Sequence, residues 1–333
     1  MGPRRWLISS RADFWFASGG ASAGLLAALV LIVFWGDREL DWLDLVLSEL
    51  HLGATYDAVL RRRLWRRMPG DVIAIPVLIL AATFALASAG HWLVITSIAV
   101  YAAIWHRGRQ SFGIARYDQK SGNGVISPTH RRLFAGAIYA PMVAAAFLYS
   151  HLAQVDYEGE PYFALNAGAT VAWSLSVIAA GSLVTYLIWT RRGSALEPKQ
   201  ELHPGEIWIV LSHAVAFGSA YLLGATRASF LFVLTVHHEV QYLYFTYAMA
   251  RRQKQAEGSQ TMEQQRQRLG PQRPFSEMRL AASFAVWPVI GLAGTLGSSL
   301  YSTEWLASLG IGGLFCHYWL DGRIWTRRSM TNT

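Results

Sequence analysis

Six histidines in this chain could do chemistry together: His51, His106, His213, His237, His238 and His317 all fall within or at the end of long apolar runs. Three of the runs add a second polar group one helical turn on. Gln110 follows His106, Gln241 follows the His237–His238 pair, and Asp321 follows His317. Residues three or four apart share a helix face, so each pattern offers an imidazole and another donor to one place. Asp44, Ser48, His51 and Thr55, spaced 4, 3 and 4, form a further stripe on one helical face. Imidazole binds iron, copper, zinc and nickel, and carboxylates complete such sites. His51, His106, His237, His238 and His317 are therefore the expected ligands of a transition metal. Gln110, Gln241, Asp321, Glu239, His213 and Asp44 are expected as additional ligands or as groups that orient ligands from behind.

The cost of burial supports a shared site. A polar side chain at membrane depth costs about one to several kcal/mol unless paired. One carbonyl or hydroxyl satisfies a single histidine, and for His213, with no polar partner nearby in sequence, a hydrogen bond to a neighbouring helix serves as well as a metal. Six histidines with Glu239, Gln241 and Asp321 are harder to account for by packing. Adjacent helix positions differ by about 100°, so one of His237 and His238 can face the site while the other packs. His91, His130, His151 and His203 stand at the ends of apolar runs and read as interfacial. Tyr242, Tyr244, Phe245 and Tyr247 read as packing and interface anchors. Cys316 reads as a small buried apolar residue, and Gly310 and Gly313 as points of close helix approach.

These residues must be positioned by membrane helices. The 333-residue chain is 53% hydrophobic and 15% charged, with a mean hydropathy of +0.26; soluble domains carry about 25% charged residues. Apolar runs lie near 19–36, 42–60, 71–90, 92–108, 131–152, 164–190, 205–224, 228–249, 279–300 and 304–323. A span needs about 20 residues, so these runs use the whole length. The sequence predicts an all-α, polytopic bundle of about ten spans with both termini cytoplasmic. It forms a single integral membrane domain over 1–333, with a mobile polar cytoplasmic loop near 251–275. That count puts Arg61–Arg63, Arg107–Arg132, Arg191–Arg192 and Arg251–Arg279 on one side, as the positive-inside rule requires. The second run is the most polar and also fits a helix lying in the interface. The expected location is a cell membrane, of the bacterial inner-membrane kind.

Several classes are excluded or disfavoured. One cysteine leaves no disulfide framework within the chain. No Gly-x-x-x-x-Gly-Lys-Ser/Thr loop and no Gly-x-Ser-x-Gly elbow occur. The formal charge of +8 sits in short clusters between apolar runs, a topology signal rather than a nucleic-acid surface.

Histidines given by several helices near the cytoplasmic face resemble the membrane-bound non-haem iron oxidoreductases, a group that includes lipid desaturases, hydroxylases and alkane monooxygenases. The resemblance implies one or two non-haem irons that activate oxygen, an apolar or lipid substrate, and an electron-donor protein at the cytoplasmic face. Those enzymes carry His-x-x-x-His and His-x-x-His-His boxes. This chain has the His237–His238 doublet, with Gln241 and Asp321 where a further histidine would stand, which leaves the second iron and the reaction open. The stretch Glu49-Leu50-His51-Leu52-Gly53-Ala54-Thr55-Tyr56-Asp57 is also similar, over one helix, to the bacterial membrane carotene dioxygenases. The other readings are a haem protein with two axial histidines, a transporter or proton/metal pathway through the intramembrane histidines, and a metal-free lipid-modifying transferase.

Overall fold

The computed structural model describes residues 6–32, 38–121, 127–153, 156–157, 160–165, 167–196, 204–225, 228–258 and 304–324. The predicted run at 279–300 lies outside the described residues, with most of the predicted 251–275 loop. The described chain is helical apart from one two-residue antiparallel pair, Asp156–Tyr157 with Glu160–Pro161. In chain order the helices are α1 (Ser10–Ala12), α2 (Gly20–Ile32), α3 (Arg38–Arg61), α4 (Leu64–Arg67), α5 (Ile75–Ser88), α6 (Trp92–Ser121), α7 (Pro128–Ala153), α8 (Gly168–Leu196), α9 (Pro204–Gly224), α10 (Phe232–Gly258) and α11 (Glu304–Ile324). A π-helical turn, Asp13–Ala17, links α1 to α2, and another, Gly70–Ala74, leads into α5.

Among the described residues, four helical segments are long and apolar enough to cross a membrane: Gly70–Ser88, Pro128–Leu152, Gly168–Arg192 and Pro204–Gly224. The bent pair Ser10–Ala17 and Gly20–Val30, at 51°, makes a fifth if it is one span. The predicted second, fourth, eighth and tenth runs also form long helices, α3, α6, α10 and α11. They fall short of the same length-and-hydropathy criterion because polar residues lower the mean: acids and histidines in α3, α10 and α11, and His106, Arg107 and Arg109 in α6. α10 continues as helix to Gly258, past the start of the predicted loop.

Packing centres on α7, which lies along both α8 and α9. Val100, Met142, Tyr149, Phe217, Tyr221 and Leu234 form one core, joining α6, α7, α9 and α10. Phe134, Ile138, Tyr186, Ile209 and Phe245 centre a second. The far side of α8 exposes Val177, Ile178 and Val184, as a lipid-facing helix requires.

Two glycines set how closely the site-bearing helices approach. Gly19 has φ +80, and a Cβ there would meet Ser212 Cβ at 2.7 Å and His237 Nδ1 at 2.9 Å. That combination admits only glycine without movement. A Cβ on Gly312 would lie 2.9 Å from Leu80 Cδ2, so this residue sets the α11–α5 approach. The predicted close-approach points, Gly310 and Gly313, have nothing within 4 Å. The contact lies two positions after Gly310 and one before Gly313. The N-terminal segment is pinned by Asp13, whose carboxylate accepts the Leu7 and Ile8 N–H groups at 2.6 and 3.1 Å and the Tyr244 hydroxyl.

Candidate metal centre

Four helices each carry one histidine to a single buried point: His51 from α3, His106 from α6, His238 from α10 and His317 from α11. One ligand atom from each can be chosen so that all lie within 4.8 Å of one another, and all four residues are buried. His51 Nε2 and His317 Nε2 are 2.7 Å apart. The His51 ring centre lies 4.4 Å from that of His317 and 4.6 Å from that of His238. His106 lies 4.8 Å from His238 and 4.9 Å from His317.

Asp321 faces this group from one turn beyond His317. Its Oδ2 is 3.6 Å from His106 Nε2, 3.7 Å from His317 Nε2 and 3.9 Å from His51 Nε2. Its Oδ1 accepts hydrogen bonds from Tyr242 Oη at 2.6 Å and Thr55 Oγ1 at 2.8 Å. One oxygen is thereby held, and the other is turned to the imidazoles. On the far side of His51, Nδ1 lies 3.1 Å from Glu239 Oε2, while Ser48 Oγ lies 3.4 Å from Glu239 Oε1. A carboxylate this close behind an imidazole raises its basicity toward a metal, though the two atoms are not aligned as a hydrogen bond.

The donor set fits a metal ion. A transition metal holds imidazole nitrogen at about 2.0–2.1 Å, so ligands at right angles lie roughly 3.0 Å apart and opposed ones roughly 4.2 Å. The 2.7 Å pair and the 4.8 Å limit bracket those spacings. His106 Nε2 and the Nδ1 atoms of His51, His238 and His317 are buried without hydrogen-bond partners. An unpaired buried polar atom costs about 1–3 kcal/mol, and a cation shared by the rings offsets this cost for the nitrogens that face it.

The expected residues do not all meet here. His237 is on the other face of α10: its Nδ1 is 3.3 Å from Ser22 Oγ, and its ring is 6.4 Å from that of His213. The ~100° between neighbouring helix positions separates it from His238. His213 sends Nε2–H to the Ile138 carbonyl at 3.0 Å, the neighbouring-helix bond open to it from sequence. Gln110 Nε2 donates to the His238 carbonyl at 2.7 Å, and Gln241 Nε2 donates to the Ala17 carbonyl at 2.7 Å. Gln110 thus holds the α10 backbone and Gln241 ties α10 to the Asp13–Ala17 turn, each amide nitrogen spent on a carbonyl and not on an imidazole. Asp44 lies on α3, with its side chain outside the described part. His130, read as interfacial, is fully buried: its Nε2 is 2.7 Å from Glu206 Oε1, which also accepts the Tyr186 hydroxyl at 2.8 Å.

Three contributors escaped the sequence reading. Tyr242, taken for an anchor, orients Asp321, although its position four residues after His238 carried the same turn-spacing signal as Asp321 after His317. Thr55 was seen as part of a polar stripe without a role. Tyr318 stacks on His106, with ring centres 4.5 Å apart; no spacing rule points to that contact.

The surroundings are layered. A cavity of about 380 Å³ opens from His51, His106, His238 and His317 along Val100, Ala103, Ile311 and Leu314. On α6 and α11 its apolar wall precedes the histidine in sequence. The hydrogen-bonding groups Thr55, Tyr242 and Asp321 all follow the histidines of their helices. The same order on separate helices means that they pass the site in the same direction, with an apolar chamber on one side and a polar layer on the other. None of the four segments that pass the membrane criterion supplies a histidine to the cluster.

No known protein family matches the chain, and neither a curated protein nor a solved structure matches it significantly.

Proposed function

We propose that the protein is a metal-dependent membrane oxidoreductase, with non-haem iron as its metal, acting on a lipid-like or other apolar substrate. The observation that carries this reading is a buried four-histidine group with Asp321 Oδ2 at its edge, opening directly onto an apolar cavity. His51, His106, His238 and His317 hold the metal, and Asp321 is its carboxylate ligand. Four imidazoles clustered this tightly suit one ion, since two-metal sites place their ions about 3.5–4 Å apart and need more donors. When bound, the metal supplies oxygen activation. The chain's own residues bind the apolar partner, keep water from the reacting atoms and hold the ligands in place.

The mixed set of nitrogen and carboxylate donors favours iron over soft thiolate metals. Haem fits less well, because two axial histidines would have to face each other across a macrocycle while these four gather at one point. A transport pathway fits less well because, beyond Arg107 at the histidine end, the wall leading from the histidines is Ala99, Val100, Ala103, Ile311 and Leu314. The reading places the chain in a cell membrane, with about ten spans and both termini in the cytoplasm. An electron-donor protein would dock on the cytoplasmic face, beside the polar layer.

The test is dioxygen uptake by the iron-loaded protein with a chemical reductant and an extract of membrane lipid. Uptake dependent on lipid and absent in His238→Ala, with an oxidised lipid product by mass spectrometry, is expected. Uptake independent of lipid, or equal in His238→Ala, would contradict the reading.

A further inference from the structure

We infer that the cavity beside the histidines is shaped for a single unbranched or lightly branched hydrocarbon chain, held lengthwise with one end at the histidine cluster. This deepens the function proposed above and rests on it for the chemistry, though not for the binding.

The walls of the cavity are unequal. On α6 they run from Thr96 through Ala99 and Ala103 to His106, a stretch of roughly 15 Å at the helical rise of 1.5 Å per residue. On α11 they run from Ile311 to His317, roughly 9 Å by the same rise. α3 and α10 contribute only near the histidines, through Ser48, His51, Leu52, His238 and Glu239. The chamber is therefore long in the direction of the helices and closed by histidines at one end. Its 380 Å³ spread over roughly 15 Å of α6 leaves a mean cross-section on the order of 25 Å², the girth of one chain and not of fused rings. The length matches about half of the ~30 Å hydrocarbon core of a bilayer, the depth of one leaflet.

The polar groups support the same occupant. At the far end, Thr96 gives its hydroxyl to the Pro161 carbonyl at 2.6 Å. At the near end, the Ser48 hydroxyl is directed at Glu239. The wall between them is Ala99, Val100, Ala103, Ile311 and Leu314, with Arg107 beside His106 at the histidine end, so the middle of the chamber can select only by length and girth. Ala99 and Ala103 stand four apart on one face of α6, and their small side chains give the chamber its width. A chain reaching the histidines end-first would be attacked at or near its end.

The probes are octane, dodecane, hexadecane and cyclododecane, added to the protein as purified in a steroid-based detergent that has no alkyl chain of its own. Affinity is expected to rise about fourfold for each added methylene until the chamber is filled near dodecane, and then to level off. Cyclododecane should bind far more weakly than dodecane. Ala99→Phe should move the plateau to shorter chains, and Ala99→Leu, a milder filling, should move it less. Equal binding of cyclododecane and dodecane would overturn the inference. So would an Ala99→Phe protein that stays folded by circular dichroism yet shows an unchanged series or a uniform loss at every length. Metal content is measured separately on the same preparations. A protein that retains metal but fails the chain series loses the chamber and keeps the metal site; one that passes the series without metal does the reverse.

Discussion

Tyr242 holds Asp321 by a 2.6 Å hydrogen bond to Oδ1, so that Oδ2 faces the Nε2 atoms of His51, His106 and His317. Groups that orient a ligand from behind typically change metal affinity by about 10–100-fold when removed. Tyr242→Phe should weaken iron binding by that order in a competition titration with a chelator, with helical content unchanged. Thr55→Val, which removes the second hydrogen bond to the same oxygen, should act in the same direction. Unaltered affinity in the double variant would mean that Asp321 does not ligate.

The two members of the histidine doublet should behave oppositely. His238→Ala removes one of the four clustered imidazoles and should strip the metal. His237→Ala removes a ring that meets Ser22 on the other face of α10, and should leave metal content intact. Metal loss in His237→Ala alone would reverse the assignment.

Much of the site was legible because helical periodicity is a strong local rule. Turn spacing picked out Asp321 behind His317 and placed Ser48, His51 and Thr55 on one face, and all of these meet at the centre. Periodicity could not choose between His237 and His238, because that choice depends on the rotation of α10, which is set by packing of Ala17, Gly19 and Ser22 from far away in sequence. The same limit applies to Gln110 and Gln241: the spacing put them near the site, but carbonyls of His238 and Ala17 claim their amide groups. His130 was misplaced because its partner Glu206 is 76 residues away. The apolar helices were plain from hydropathy. The helices that build the centre were harder to read as spans, since the residues that make the site are those that lower the hydropathy.

The His130–Glu206–Tyr186 group gives a control for stability without metal chemistry. Removing one partner of a buried hydrogen bond leaves the other unsatisfied and costs about 1–3 kcal/mol. His130→Ala should lower the thermal midpoint in detergent by several degrees while metal per folded protein stays the same. Loss of metal at full stability would tie this group to the centre.

Metal affinity should fall as the pH falls. Imidazoles bind metals only when neutral, so protons compete with the ion. The decline is expected below the ordinary imidazole range near ~6.5, and should steepen with the number of imidazoles released. A chelator titration at several pH values measures it; affinity that does not change with pH would argue against histidine ligation.

The most direct test is elemental analysis, with a visible spectrum, of the protein purified in mild detergent and of its His51→Ala/His317→Ala variant. The account expects about one equivalent of iron, the mononuclear case for four imidazoles at one point, with no Soret band in the parent protein and no iron in the folded variant. Iron retained by the folded variant, a Soret band, or a parent protein that holds no metal even after reconstitution would contradict it.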